Sequence, residues 1–154
     1  MTHRLDHLPL VYSCSGCSSA AQLANHLAVK LDRAGLAEMS CIAGVGGGVP
    51  SLVRKAQEAQ EAGRPIMALD GCALACVQAC LSSRSVAPSV HVQLQRLGVK
   101  KVYHEGFVPD QAGALFDRLA AQAIELASRS GGEGGKGCGS CGGCGGCGGG
   151  SCAA

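Results

Sequence analysis

Short apolar runs alternate along this chain with longer stretches in which apolar residues recur every three or four positions. Leu8 to Ser13 is an apolar run ending at Cys14, and it predicts a strand. From Ser18 to Leu36, Leu23, Leu27 and Leu31 repeat at four-residue spacing beside Ala24 and Ala28, which predicts an amphipathic helix closed near Gly35. Ala37 to Val45 predicts a second, weaker strand with Cys41 inside it, followed by a turn at Gly46-Gly47-Gly48. Pro50 suits the first position of a helix running to about Ala62, with Gly63 as its stop. Pro65 to Leu69 is the third strand, and it leads directly into Asp70-Gly71-Cys72. The Ala-rich stretch from there to Ser83 predicts a helix. Val90, Val92 and Leu94 alternate as a fourth strand, and Lys101 to Tyr103 adds an edge piece. Asp110 caps a last helix with Leu115, Phe116, Leu119, Ala123 and Ile124 on one face.

Strand and helix in alternation predict an α/β fold: one domain with a mainly parallel sheet flanked by helices. In such a fold the loops after the carboxyl ends of the strands form the ligand crevice. Cys14 ends the first strand, Cys41 lies late in the second and Cys72 follows the third, so three sequence-distant cysteines are expected along one edge. The folded domain is expected over residues 1–128. Residues 129–154, nearly all glycine and cysteine toward the end, are expected to form a flexible tail.

The 154 residues carry 11 cysteines and a net charge of +2. The apolar content before Ser128 is enough for a core that needs no disulfide framework. The first nine residues do not read as a secretory signal, and no run approaches the roughly 20 apolar residues of a membrane span. A cytoplasmic protein is the expectation, and there cysteines at short spacings are more often metal ligands or redox groups than bridges. Scattered basic residues and few aromatic ones argue against nucleic-acid binding.

Cys14-Ser-Gly-Cys17 is a CxxC, a turn that lets two thiolates grip one tetrahedral ion and that redox pairs also use. Cys72, Cys76 and Cys80 recur at helical spacing, so Cys72 and Cys76 are expected on one helix face. Cys80, a turn deeper, reads as a small buried residue. Asp70 is expected to cap the following helix, with orientation of a ligand as its sharper alternative role. Gly44 to Gly48 lacks the Lys-Ser/Thr of a phosphate loop and reads as a close-packed turn. The five histidines show no ligand-type spacing, and no Ser-His-Asp or HExxH pattern suggests a hydrolase. In the tail, Cys138, Cys141, Cys144 and Cys147 repeat every third residue and Cys152 follows. Such thiolates can wrap a soft ion such as Zn(II) or Cu(I), or an iron–sulfur cluster.

The segments PLVYSCSGCSSAAQLANHLA, EMSCIAGVGGG, IMALDGCALACVQACL and VQLQRLGVKK together resemble the DGC-domain family, named for its Asp-Gly-Cys motif, over about Leu8 to Lys101. The resemblance implies a zinc site made by cysteines. The positions that match are Cys14, Cys17, Cys72, Cys76 and Cys41. Five sulfurs are one more than a closed tetrahedral site needs, and Cys41 is taken as the fifth candidate. The expected function is therefore a cytoplasmic thiolate metal-binding protein, zinc by resemblance, with a tail that captures metal or sulfur. Its partners would be the metal ion and a protein of metal or sulfur handling. Two alternatives stand beside it: a thiol redox or persulfide sulfur-transfer protein, and an iron–sulfur protein.

Overall fold

The structure, a computed structural model, describes residues 5–130. The expected tail with Cys138, Cys141, Cys144, Cys147 and Cys152 lies outside the described residues, apart from its first two positions.

Leu10–Ser13 (β1) and Ile66–Asp70 (β3) are buried at every position, as strands covered on both faces must be. They pair in parallel from Leu10 opposite Ile66 to Ser13 opposite Leu69. Glu38–Met39 (β2) flanks β1, and Val90–Gln93 (β4) flanks β3, giving one four-stranded parallel sheet in the order β2-β1-β3-β4. The expected α/β architecture with a parallel sheet and flanking helices is what the chain adopts.

Helices cover both faces. Ser19–Arg33 (α1) buries Leu23, Ala24, Leu27, Ala28 and Leu31, and Ser18 caps it by accepting the Ala21 N–H at 3.3 Å. Asn25 on α1 takes the Ser13 hydroxyl, so α1 lies on the face to which Ser13 points. Pro109–Ser130 (α5) packs along α1, with Lys30 4.1 Å from the centre of the Phe116 ring. The opposite face carries Ile42–Gly46 (α2), Pro50–Glu61 (α3) and Cys76–Ser82 (α4), packed on one another. There the buried Glu38 carboxylate pairs with Lys55 of α3 and, at 2.7 Å, with Arg64. Arg64 also donates to the carbonyls of Leu5 and Leu8, fastening the segment ahead of β1.

Four expectations change. The second strand is only two residues long, because the chain turns into α2 at Ile42; Cys41 is therefore the residue before a short helix instead of a strand residue. The glycines make that turn possible, since a Cβ on Gly44 would overlap Leu52 at 2.1 Å and one on Gly46 would meet the Cys80 sulfur at 2.7 Å. The close packing read from the sequence is present, but Gly44 and Gly46 belong to α2 and the turn itself is confined to Gly47-Gly48. The stretch after Asp70 is not helical until Cys76, because residues 71–75 form a turn ending at Ala75 with φ +49°. On α5, Leu115, Leu119 and Ala123 are buried but Ile124 is 56% exposed, since Leu126 takes the next inward position. Lys101 to Tyr103 contributes only a single bridge, Ser18 to Tyr103. Among the described residues no helix is long and apolar enough to cross a membrane.

Candidate functional site

The parallel register sets three loops side by side at the carboxyl edge. Cys14 N–H donates to Leu69 and Ser40 N–H donates to Val11, so the residues just beyond β1, β2 and β3 stand abreast. Adjacent strands are about 4.8 Å apart. The edge therefore brings Cys41, Cys14 and the Asp70-Gly71-Cys72 turn into one row.

Gly71 fixes the spacing of that row. A Cβ at this position would lie 2.5 Å from the carbonyl carbon and oxygen of Ala20 and 2.8 Å from the nitrogen of Ala21. Only glycine lets the Asp-Gly-Cys turn press directly on the backbone of the first turn of α1, which follows the CxxC. In that position the Gly71 N–H donates to Cys14 Sγ at 3.1 Å.

Asp70 organises the next element. Its carboxylate, 1% exposed, accepts the N–H groups of Val77 at 2.9 Å and Gln78 at 3.3 Å. Both belong to the first turn of α4, so the acid caps from the end of β3 a helix that starts six residues later. The capping role expected from sequence is present, but the helix it caps begins at Cys76 and not at the motif. One oxygen also meets His91 Nε2 at 2.9 Å. His91 pairs with Ala68 across the sheet and shares the face of Asp70, two residues on.

Cys72 is half-buried, and its carbonyl accepts from Gln93 Nε2 at 3.0 Å. Its sulfur lies 3.5 Å from Lys101 Nζ. Ser19 holds that lysine in place: its hydroxyl donates to the Lys100 carbonyl and accepts the Val102 N–H. Cys76 is exposed at the start of α4. Because the turn ends before it, Cys72 and Cys76 do not share a helix face as the spacing predicted.

Cys14 is the buried member of the set, 7% exposed. Burial pushes its thiol up to about 11; the Gly71 N–H acts in the opposite sense, while Asp70, Cys76 and Cys72 add to the rise. Cys14, Cys72, Cys76 and Asp70 thus share one electrostatic neighbourhood. Cys17 and Cys41 stand exposed on their loops. Cys80, packed toward Gly46, is likewise pushed up by burial first and then by Cys76 and Asp70. All six described cysteines are free thiols. The donor set is chemically suited to a soft ion, being all sulfur on adjoining loops. Among the described residues, however, no three Cys, His, Asp or Glu side chains are gathered closely enough to hold an ion as they stand.

Lys101, His91 and Gln93 were not singled out from the sequence as partners of the motif. For His91 and Gln93 the usable signal was strand parity: alternate residues of a neighbouring strand reach the face that bears Asp70. No comparable signal pointed to Lys101.

A family model described as the DGC domain matches residues 10–119. The chain is 59% identical over 114 residues to the anaerobic and virulence modulator AnvM of Pseudomonas aeruginosa, covering 74% of this chain and 84% of that protein. No solved structure matches it.

Proposed function

We propose that this chain, which belongs to the DGC-domain family, is a cytoplasmic thiolate metal-binding protein with zinc as its ion. The observation that carries the reading is the parallel register that sets the loops bearing Cys14, Cys41 and Cys72 abreast at one edge of the sheet, with the Gly71 N–H on Cys14 Sγ at 3.1 Å. Core packing does not require that convergence, and four thiol donors suffice for a tetrahedral ion. Cys14, Cys17, Cys72 and Cys76 would hold it, with Cys41 as the fifth candidate. A zinc ion in such a donor set supplies a cross-link between loops that are otherwise joined by hydrogen bonds.

The chain's own residues prepare the ligands. Gly71 sets the Cys14 and Cys72 loops at contact distance, Asp70 fixes the start of the helix bearing Cys76, and Lys101 offers positive charge to the Cys72 sulfur. Cys17 and Cys41, being exposed, are the donors free to move inward. Free thiols throughout the described domain fit a reducing compartment. The Pseudomonas relative is named an anaerobic and virulence modulator. A thiol site suits modulation of that kind, since thiolates exchange metal for oxidation as conditions change.

A second reading, thiol redox or persulfide transfer, is favoured by the ammonium beside Cys72 and by thiols that are not gathered as a cage. Zinc competition with a chromophoric chelator separates the two on the reduced chain. The metal reading expects one zinc per chain, with affinity falling by about a hundredfold or more in Cys72→Ser. Zinc no tighter in the wild type than in Cys72→Ser would abandon the metal reading for the thiol one.

A further inference from the structure

Beyond the cysteine edge, a cleft of about 200 Å³ opens along the free side of β4, lined by His91, Gln93, Arg96, Arg118 and Gln122 with Val92 and Leu97. Its polar groups come from three elements: β4, the 3₁₀ turn Leu94–Leu97, and α5. Neither arginine forms an ion pair among the described residues, and no carboxylate lines the cleft. Two guanidinium groups brought toward one hollow repel each other unless an anion lies between them. Guanidinium forks match the oxygens of a phosphate in a way that a point charge does not.

The two β4 residues in this wall are also the ones that hold the Asp-Gly-Cys motif. His91 binds the Asp70 carboxylate at 2.9 Å, and Gln93 Nε2 binds the Cys72 carbonyl at 3.0 Å. The cleft and the cysteine loop therefore share a wall one strand thick. We propose that this cleft binds a phosphate group between Arg96 and Arg118, and that its occupancy shifts the Asp70–Cys72 turn through His91 and Gln93. The inference stands on the cleft and its hydrogen bonds and does not depend on whether the cysteines take zinc. The volume admits inorganic phosphate or the phosphate end of a small monoester.

The test is a titration of the reduced full chain, kept free of metal, with inorganic phosphate and separately with glycerol phosphate, followed by backbone amide shifts. Sodium chloride at matched ionic strength is the control. Saturable shifts at His91, Gln93 and Cys72 are expected, weakened by about tenfold for each of Arg96→Gln and Arg118→Gln. Tighter binding of glycerol phosphate would identify a monoester as the source, and equal or tighter binding of phosphate the free anion; either supports the site. Both arginines are exposed and unpaired, so the variants are expected to keep their fold, checked by circular dichroism. Alkylation of Cys72, read by peptide mass spectrometry, should change rate with phosphate in the wild type and not in the double variant. Shifts that never saturate, or that persist in the double variant, would overturn the site. Saturable binding with an unchanged Cys72 rate would overturn the link to the motif.

Discussion

Replacing Gly71 with alanine probes the contact that holds the motif against the CxxC. The new Cβ would lie 2.5 Å from Ala20 carbonyl atoms, whereas ordinary contact begins at 3.4 Å, so the turn must retreat by roughly an ångström. The atoms it meets are helix backbone and cannot rotate aside. Overpacking of this kind costs about 2 kcal/mol, on the order of 6–8 °C in Tm for a domain of this size. The retreat also breaks the 3.1 Å hydrogen bond from Gly71 to Cys14 Sγ and separates Cys14 from Cys72. Urea unfolding of the reduced protein measures the first effect and chelator competition the second, with zinc affinity expected to fall by about tenfold or more. Gly113→Ala is the matched control: its Cβ meets nothing within 4 Å inside α5, so it should stabilise by about 0.5–1 kcal/mol. An unchanged Tm together with unchanged zinc affinity in Gly71→Ala would refute the argument that this glycine sets the spacing of the site.

Three further outcomes follow from the same structure. Burial alone would raise the Glu38 carboxyl, but Lys55 and Arg64 outweigh it and hold the group below its usual range. Its stabilisation is therefore complete above the unfolded value near 4.3 and is lost as pH falls through the lower folded value. Glu38→Gln should cost about 2 kcal/mol at neutral pH, limited because Lys55 is a third exposed and Arg64 keeps its two carbonyls. As pH falls below the unfolded value and through the lower folded one, the Tm of the variant should converge on that of the wild type, and a gap that persists in acid below the folded value would count against the ion pair. Asp70→Asn keeps the shape but replaces one acceptor oxygen by a donor, so about 2 kcal/mol should be lost, with faster amide exchange at Val77 and Gln78. Protection unchanged at both amides would show that α4 does not rely on this cap. In timed alkylation of the reduced chain, Cys17, Cys41 and Cys76 should react first and Cys14 last among the six described cysteines, since only Cys14 is buried. Early modification of Cys14 would contradict its placement under the Gly71 turn.

Much of this architecture was legible from periodicity. The leucine repeat of α1, the doubly buried runs of β1 and β3 and the Pro50 start of α3 are local signals, and each produced its element close to its expected limits. The row of Cys14, Cys41 and Cys72 followed from topology alone, because parallel strands deliver their following loops to one edge. What failed was the inference of helix from composition. Alanine and four-residue cysteine spacing suggested one helix from Asp70, but Gly71 is pressed on Ala20 and the Asp70 carboxylate reaches past the turn to Val77. Tertiary contact decided where α4 starts, and with it the relation between Cys72 and Cys76. Cys41 was misplaced for a related reason, since only the packing of Gly44 and Gly46 against Leu52 and Cys80 shows why the strand stops at Met39. Lys101 escaped notice because it reaches Cys72 through Ser19, more than 80 positions away in the chain, an anchoring that no local pattern encodes.

The most direct test of thiolate zinc binding is the metal and labile-sulfide content of protein purified without oxygen, as the full chain, as a chain ending at Ser130, and as Cys72→Ser. One zinc and no sulfide are expected in the first two and little zinc in the third. Iron with sulfide, or no metal in any form, would contradict it.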